Sequence, residues 1–230
     1  MKKLIIIPAF NEANSLVDLV REIREKAPSY DYVIVNDGSH DHTTDLCLKE
    51  GLNFLDLSLN LGIGGAVQAG YVYARYHGYD IAIQIDGDGQ HDPAYLDQLV
   101  EPIVKNEADF SVGSRYIHKE GFQSSTIRRV GIWWLNSIIR LLTRIKVTDC
   151  TSGFRAVNKS VIRMFSGYYP YDYPEPETII DVYRHGYRIM EVSVNMRSRA
   201  HGTSSIRMTK TIYYMIKVSL AMIVSFCKRR

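Results

Sequence analysis

Apolar positions in the first 90 residues follow two rhythms. The runs Lys3-Leu4-Ile5-Ile6-Ile7-Pro8, Tyr32-Val33-Ile34-Val35, Asn53-Phe54-Leu55-Asp56-Leu57 and Asp80-Ile81-Ala82-Ile83-Gln84-Ile85 are short and rich in β-branched residues, as buried strands are. Between them Leu16, Leu19, Val20 and Ile23 recur at helical spacing and predict a helix over residues 15–26. A second helix is predicted over residues 40–50, closed by Gly51, and a third over 66–76, entered through the glycine-rich turn Asn60-Leu61-Gly62-Ile63-Gly64-Gly65. Strands alternating with helices predict an α/β fold with a mostly parallel sheet and right-handed crossovers. The length of 230 residues suits one such domain with room for an appendage.

Charge changes this picture, because it is divided unevenly. Residues 1–110 carry eight Lys and Arg against 18 Asp and Glu, whereas residues 111–230 carry 20 against seven. From Val192 to the last residue there is no carboxylate side chain. A basic second half points to an anionic partner, either nucleic acid or an anionic membrane, unless it is plain solvated surface. Cys47, Cys150 and Cys227 are too widely spaced for a zinc or disulfide framework and suit a reducing compartment. Only Leu4 to Ile7 are apolar before Pro8, too short a run for a signal peptide, so a cytoplasmic chain is expected.

The strongest candidate chemistry lies at the end of the fourth strand, in Asp86-Gly87-Asp88-Gly89-Gln90-His91. Two carboxylates one residue apart sit where open α/β sheets bind ligands, at the carboxyl edge. Mg²⁺ is commonly held by one or two carboxylates together with substrate phosphates, so the spacing suits a nucleotide-bound metal. The competing reading is a solvated Asp-Gly turn. The glycine turn at 60–65 is a second phosphate candidate. A dinucleotide fingerprint, however, should follow the first strand, where Pro8-Ala9-Phe10-Asn11-Glu12 stands instead, and the Walker pattern is absent.

Ile7-Pro8-Ala9-Phe10-Asn11-Glu12, Asn36-Asp37-Gly38-Ser39, Asn60-Leu61-Gly62, the Asp86 motif, Gly113-Ser114-Arg115-Tyr116, Thr151-Ser152-Gly153-Phe154-Arg155 and Arg199-Ala200-His201-Gly202-Thr203-Ser204 occur in one order. Together they resemble the inverting family 2 glycosyltransferases of GT-A fold, in the polyprenyl-phosphate sugar synthase branch similar to dolichol-phosphate mannose synthase. The nearest likeness is to bacterial undecaprenyl-phosphate hexose and N-acetylhexosamine transferases. The resemblance runs from residue 4 to about 205. It implies a catalytic domain over 1–205 followed by a membrane-surface or partner-docking helix over 206–230.

The resemblance also implies roles. Pro8, Phe10 and Glu12 would line the nucleoside pocket, and Asp37 would bond the base. Asp86 and Asp88, with Gly87 between them, would take the donor diphosphate through Mg²⁺ or Mn²⁺, and Gln90 would orient that site. Arg115 and Arg199 would face phosphate groups, for which a planar guanidinium is suited. The mannose branch carries Ala where Gly87 stands, which leaves the donor sugar open, with UDP-sugars favoured. Ile63 replaces a Lys frequent in relatives that act on hydroxyl acceptors, and fits the lipid-phosphate branch better.

The chemistry of the acceptor bears on the same question. A hydroxyl acceptor needs a base, whereas a phosphate monoester has a second pKa of about 6 and is already ionised near neutrality. It needs cations to place it, and Arg115, Arg128, Arg129 and Arg155 are available. Asp149 is a candidate base or orienter, as are Glu175 and Glu177 in a proline-rich stretch that otherwise reads as a rigid turn. Residues 128–146 mix Trp133, Trp134 and aliphatic residues with five cations, as interfacial helices do. Residues 211–227 are apolar but for Lys217, short for a span, and suit a helix lying on a membrane, docking a small integral membrane protein, or packing in a core.

The expected protein therefore works at the cytoplasmic membrane face and serves cell-wall or surface-polysaccharide glycosylation. A soluble transferase acting on a glycan hydroxyl is the alternative. A nucleic-acid partner is disfavoured because the aromatics stand among aliphatic residues. Self-association is left open.

Overall fold

The computed structural model describes residues 1–118, 126–197 and 208–228. Seven strands, β1 (Lys3–Ala9), β2 (Asp31–Asn36), β3 (Phe54–Asp56), β4 (Ile81–Gln84), β5 (Phe110–Ser114), β6 (Arg155–Asn158) and β7 (Ile189–Ser193), form one sheet in the order β3-β2-β1-β4-β6-β5-β7. All neighbours run parallel except β6, which is antiparallel to both β4 and β5. The reversal matters for the site. It brings the loop preceding β6, residues 149–154, to the same edge as the carboxyl ends of β1, β2, β4 and β5.

Successive residues of β1 supply opposite faces, as the two-residue period of a strand requires. Leu4 and Ile6 join one core with Val67 and Tyr71 of α3 (Gly62–Tyr76) and Phe165 of α6 (Lys159–Gly167). Ile5 and Ile7 join the other with Leu16, Leu19, Val20 and Ile23 of α1 (Leu16–Lys26) and Leu99 of α4 (Leu96–Val104). Burial of each such side chain contributes about 1.5–3 kcal/mol. The remaining helices are α2 (Thr43–Lys49), α5 (Thr126–Thr143), α7 (Pro174–Arg184) and α8 (Met208–Cys227).

The glycine-rich stretch is not a turn. It forms the first turn of α3, which begins at Gly62. The glycines of α3 serve packing: a Cβ on Gly64 would lie 2.1 Å from the Pro170 carbonyl oxygen, and one on Gly70 would lie 2.2 Å from Cγ2 of Ile6. The proline-rich stretch is likewise the start of a helix, with Pro174 in the first turn of α7, where a missing N–H costs nothing.

The last helix is two-sided. Val218 and Met222 are buried in the core, while Ile216, Leu220, Ile223 and Val224 are exposed. It lies beside α5, where a Cβ on Gly131 would come within 3.2 Å of Met215 Sδ, and Trp134 Nε1 donates to Ser219 Oγ at 3.1 Å. Among the described residues no helix is long and apolar enough to cross a membrane.

Candidate active site

Backbone carbonyl positions explain a proline in a central strand. The N–H of Ile85 donates to the Ile6 carbonyl, so Pro8 turns its nitrogen towards β4 as well. There β4 has ended, and no ladder bond is lost. Gly87 fills the space: a Cβ on it would lie 3.2 Å from the Pro8 carbonyl oxygen and 3.6 Å from Cγ of Glu12. Pro8 and Glu12 thus stand against the turn between Asp86 and Asp88. Asn11, with φ of 57°, accepts from the His40 and Asp41 N–H groups and ties the Phe10–Glu12 loop to the one after β2. Phe10 is partly exposed, with the His40 ring edge-on at 6.0 Å.

Asp37 is buried and accepts from the Leu61 N–H at 2.7 Å. Burial pushes its carboxyl up, and the N–H groups of Leu61 and Gly62 oppose that shift. Gly38, with φ of 64°, lies so close to the Asn60 backbone that a Cβ would meet its nitrogen at 2.9 Å.

Asp86 leaves the end of β4 with its carboxylate about one-third exposed. Its N–H donates to His91 Nδ1 at 3.1 Å, which leaves Nε2 to carry the proton, 3.8 Å from Asp86 Oδ2. His91 is buried and stacked on Phe154 at 5.0 Å, so the imidazole is fixed behind the carboxylate. On the other side the carboxylate rests on Gly153, where a Cβ would stand 2.8 Å from Oδ2 and 2.9 Å from Oδ1. Asp88 accepts from the Gln90 N–H at 3.0 Å. The Gln90 side chain donates to the Arg197 carbonyl at 3.3 Å, and Arg197 holds both Glu22 and Asp92 at 2.6 Å.

No group of three or more His, Cys, Asp and Glu that would hold a metal unaided occurs among the described residues. The Gly153 cradle, which keeps the Asp86 carboxylate accessible beside Asp88, fits a divalent ion that arrives with a diphosphate.

Across the edge, Arg115 and Asp149 form a bidentate pair at 2.6 and 2.7 Å. Asp149 is 0% exposed and also accepts from the Arg115 N–H. Glu191 on β7 supports the pair from beneath, its carboxylate accepting from the N–H groups of Thr148 and Asp149 and from the Thr148 hydroxyl. Burial raises the Glu191 carboxyl above its ordinary range. Asp86 lies within electrostatic range of Arg115, so the two sides of the edge belong to one site.

Several expected roles are revised by this geometry. Arg155 is 1% exposed, and its guanidinium donates to the Ser152 and Cys150 carbonyls and to the Thr178 hydroxyl. It organises the 150–154 loop and is closed to a phosphate. Asp149, fully buried and fixed on Arg115, has the placement of an orienter. Glu177 faces α8, beside Asp181 and Lys228, where burial first and Asp181 second raise its pKa to about 7. Glu175 points the other way, within range of Arg155, Asp86 and Arg128, and burial raises its carboxyl too. It stands two residues beyond Tyr173, a bulky residue at φ of 52°, a conformation that costs roughly 1–2 kcal/mol and is found at functional sites. Arg128 and Arg129 are both exposed on α5: Arg128 lies in range of Glu175, and Arg129 lines a groove bounded by Tyr116. Arg199 lies outside the described residues.

His91, Gly153, Glu191 and Arg197 are the contributions that sequence reasoning missed. His91 and Gly153 stand inside motifs already singled out, and their position next to the carboxylates was the available signal. Glu191 and Arg197 act on partners 42 and 175 residues away, and the one-dimensional pattern holds no sign of either.

The profile of glycosyl transferase family 2 matches residues 4–165. The undecaprenyl-phosphate mannosyltransferase of Micrococcus luteus is 31% identical over 169 residues, covering 71% of this chain and 69% of that protein. The UDP-N-acetylglucosamine–dolichyl-phosphate N-acetylglucosaminyltransferase of Methanococcus voltae is 32% identical over 182 residues, covering 70% and 71%. Glucosyl-3-phosphoglycerate synthase of Mycobacterium tuberculosis, solved with Mn²⁺, UDP and glucosyl-3-phosphoglycerate, superposes with a TM-score of 0.73 at 18% identity, covering 98% of this chain and 80% of that one.

Proposed function

The chain belongs to glycosyl transferase family 2 and has the GT-A fold, and on that premise we propose that it transfers a sugar from a UDP-sugar, N-acetylglucosamine or a hexose, to a polyprenyl phosphate such as undecaprenyl phosphate. The observation that carries the choice of acceptor is the burial of Asp149. The carboxylate placed to act as a base is fully enclosed and bound to Arg115, so the site presents a fixed guanidinium where a hydroxyl acceptor would need a proton taken away.

Phe10 and Glu12 line the nucleoside side of the cleft and Asp37 reads the base. Asp86 and Asp88 would hold Mg²⁺ or Mn²⁺, which would supply neutralisation of charge on the leaving diphosphate. Gly87 and Gly153 keep that corner open, and His91 fixes the direction of Asp86. Arg115, with Arg128, Arg129 and Arg199, places the acceptor phosphate. An oxygen of that phosphate attacks the anomeric carbon on the face opposite the nucleotide. The bond from that carbon to the diphosphate oxygen breaks, its electron pair leaves with UDP, and the sugar is joined to the lipid phosphate with inverted configuration. No proton has to be removed from a dianionic phosphate monoester.

The exposed apolar side chains on α5 and α8, with the cations of the second half, support a location at the membrane surface with the donor cleft towards the cytoplasmic nucleotide pool. A hydroxyl acceptor is the second reading, and Glu175, raised by burial and facing Asp86, is the group it would rely on. The test is UDP release from UDP-sugars offered with undecaprenyl phosphate or with a water-soluble glycan. Release stimulated by the lipid phosphate alone supports the proposal. Release stimulated by the glycan alone contradicts it.

A further inference from the structure

The flank of α5 turned away from α8 carries Arg129, Trp133, Asn136 and Arg140, at helical spacing, along a groove of about 420 Å³. Buried Ile132 and Val147 form its apolar floor, and Lys146 stands across from the helix. Tyr116 and Thr148 close one end, next in the chain to Arg115 and Asp149. Asn136 Nδ2 donates to the Thr148 carbonyl at 2.8 Å, and Arg140 stands one helical turn beyond Asn136, about 6 Å along the axis. No acidic residue lines the groove, and Arg129, Arg140 and Lys146 make no hydrogen bond or ion pair among the described residues.

We propose that the far end of this groove is a binding site for the phosphate headgroup of an anionic membrane phospholipid, held by Arg140 and Lys146 with Trp133 at its rim and distinct from the acceptor site. The proposal rests on the membrane-surface reading above and adds a second lipid to it. An acceptor tail entering from the catalytic edge would run its hydrocarbon onto two cations, so the far end suits another phosphate and not a prenyl chain. A membrane lipid fits better than a soluble anion because large apolar side chains stand in solvent along the same helix, with Trp133 67% and Leu141 81% exposed. Tryptophan beside arginine on an amphipathic helix is the composition of a headgroup-level element.

The test uses the full chain, without donor or acceptor, on vesicles of neutral phosphatidylcholine and of phosphatidylcholine mixed with phosphatidylglycerol. The expected result is binding at least tenfold tighter to the anionic vesicles. The double variant Arg140→Gln/Lys146→Gln should lose most of that preference, since two cations near an anionic surface account for roughly thirtyfold. Arg144→Gln, an exposed cation outside the groove, should lose less than threefold. In a Trp134→Phe chain, where Trp133 is the sole tryptophan, emission should shift to the blue with anionic vesicles and not with inorganic phosphate or single-stranded RNA. A loss in Arg144→Gln equal, per charge removed, to that in the double variant would mean diffuse surface charge and overturn the site. The same emission shift with free phosphate or RNA would overturn the lipid assignment. A chain that binds these vesicles through the groove and transfers no sugar contradicts the functional proposal alone. One that transfers sugar while the double variant keeps its vesicle preference contradicts this proposal alone.

Discussion

The nucleotide side and the acceptor side of the catalytic edge are held by different means. On the nucleotide side, at β1, β2 and β4, side chains are set by backbone groups or by close approach: Asp88 on the Gln90 N–H, Asp37 on the Leu61 N–H, Asp86 between His91 and the Gly153 backbone. On the acceptor side, at β5, β6 and β7, placement comes from buried charges: Arg115 on Asp149, Asp149 above Glu191, and Arg155 on the Thr178 hydroxyl and the carbonyls of its own loop. On the proposed function, a cradle of backbone and glycine would accept an incoming diphosphate and its cation without rearrangement, and a buried ion pair would hold a guanidinium against a lipid phosphate. The cost is vulnerability, since removing one partner strands the other charge away from water.

The sharpest way to break this contrast is to remove one partner. Asp149→Asn should lower stability by about 3–5 kcal/mol, read in denaturant unfolding, because Arg115 stays buried without its bidentate counter-charge. The double change Arg115→Met/Asp149→Leu should recover most of the stability and none of the transfer activity. Equal loss of stability in single and double variants would contradict the pair's role.

On the nucleotide side the effect falls on rate and leaves the fold. Asp86→Asn or Asp88→Asn should reduce sugar transfer at least a hundredfold, about 2.7 kcal/mol, with the unfolding midpoint almost unmoved. Gly153→Ala should act in the same direction by pushing the Asp86 carboxylate off its seat, and should weaken donor binding more than acceptor binding. Near-normal turnover of both Asp variants with EDTA present would remove the metal from the account.

A smaller effect separates both sides from α8. The Glu177 carboxyl is raised to about 7 by burial and Asp181, against Lys228. A carboxyl that binds its proton more tightly folded than unfolded favours folding at low pH. Its contribution is present below the unfolded value of about 4.3 and is lost as pH rises towards 7. Glu177→Gln should flatten that part of the stability–pH curve and stabilise the chain at pH 8 by about 1–2 kcal/mol, after discounting for partial exposure. Thermal unfolding from pH 5 to 8 measures it. An unchanged slope would place Glu177 in water.

The same contrast explains what was legible in the sequence. The parallel sheet, the strands of the first 90 residues and the Asp86 corner could be read because strand periodicity and motifs at strand ends are local. The glycines of residues 62–70 misled, since their purpose is close approach to Ile6 and to the loop at 170–171, and a distant surface leaves no mark in a local pattern. Arg155 and Asp149 looked like open catalytic groups for a related reason. Charge in a sequence carries no sign of burial until the antiparallel β6 folds their loop under the edge.

The central claim is that the acceptor is an ionised phosphate placed by Arg115, with no obligatory base. The direct measurement is the pH dependence of kcat/KM for undecaprenyl phosphate in the wild type, Glu175→Gln and Asp149→Asn. The account predicts an acid limb near the second phosphate pKa, about 6, that keeps its position in every variant, however much the rate falls. An acid limb that vanishes in one carboxylate variant would identify that residue as a base and contradict the account.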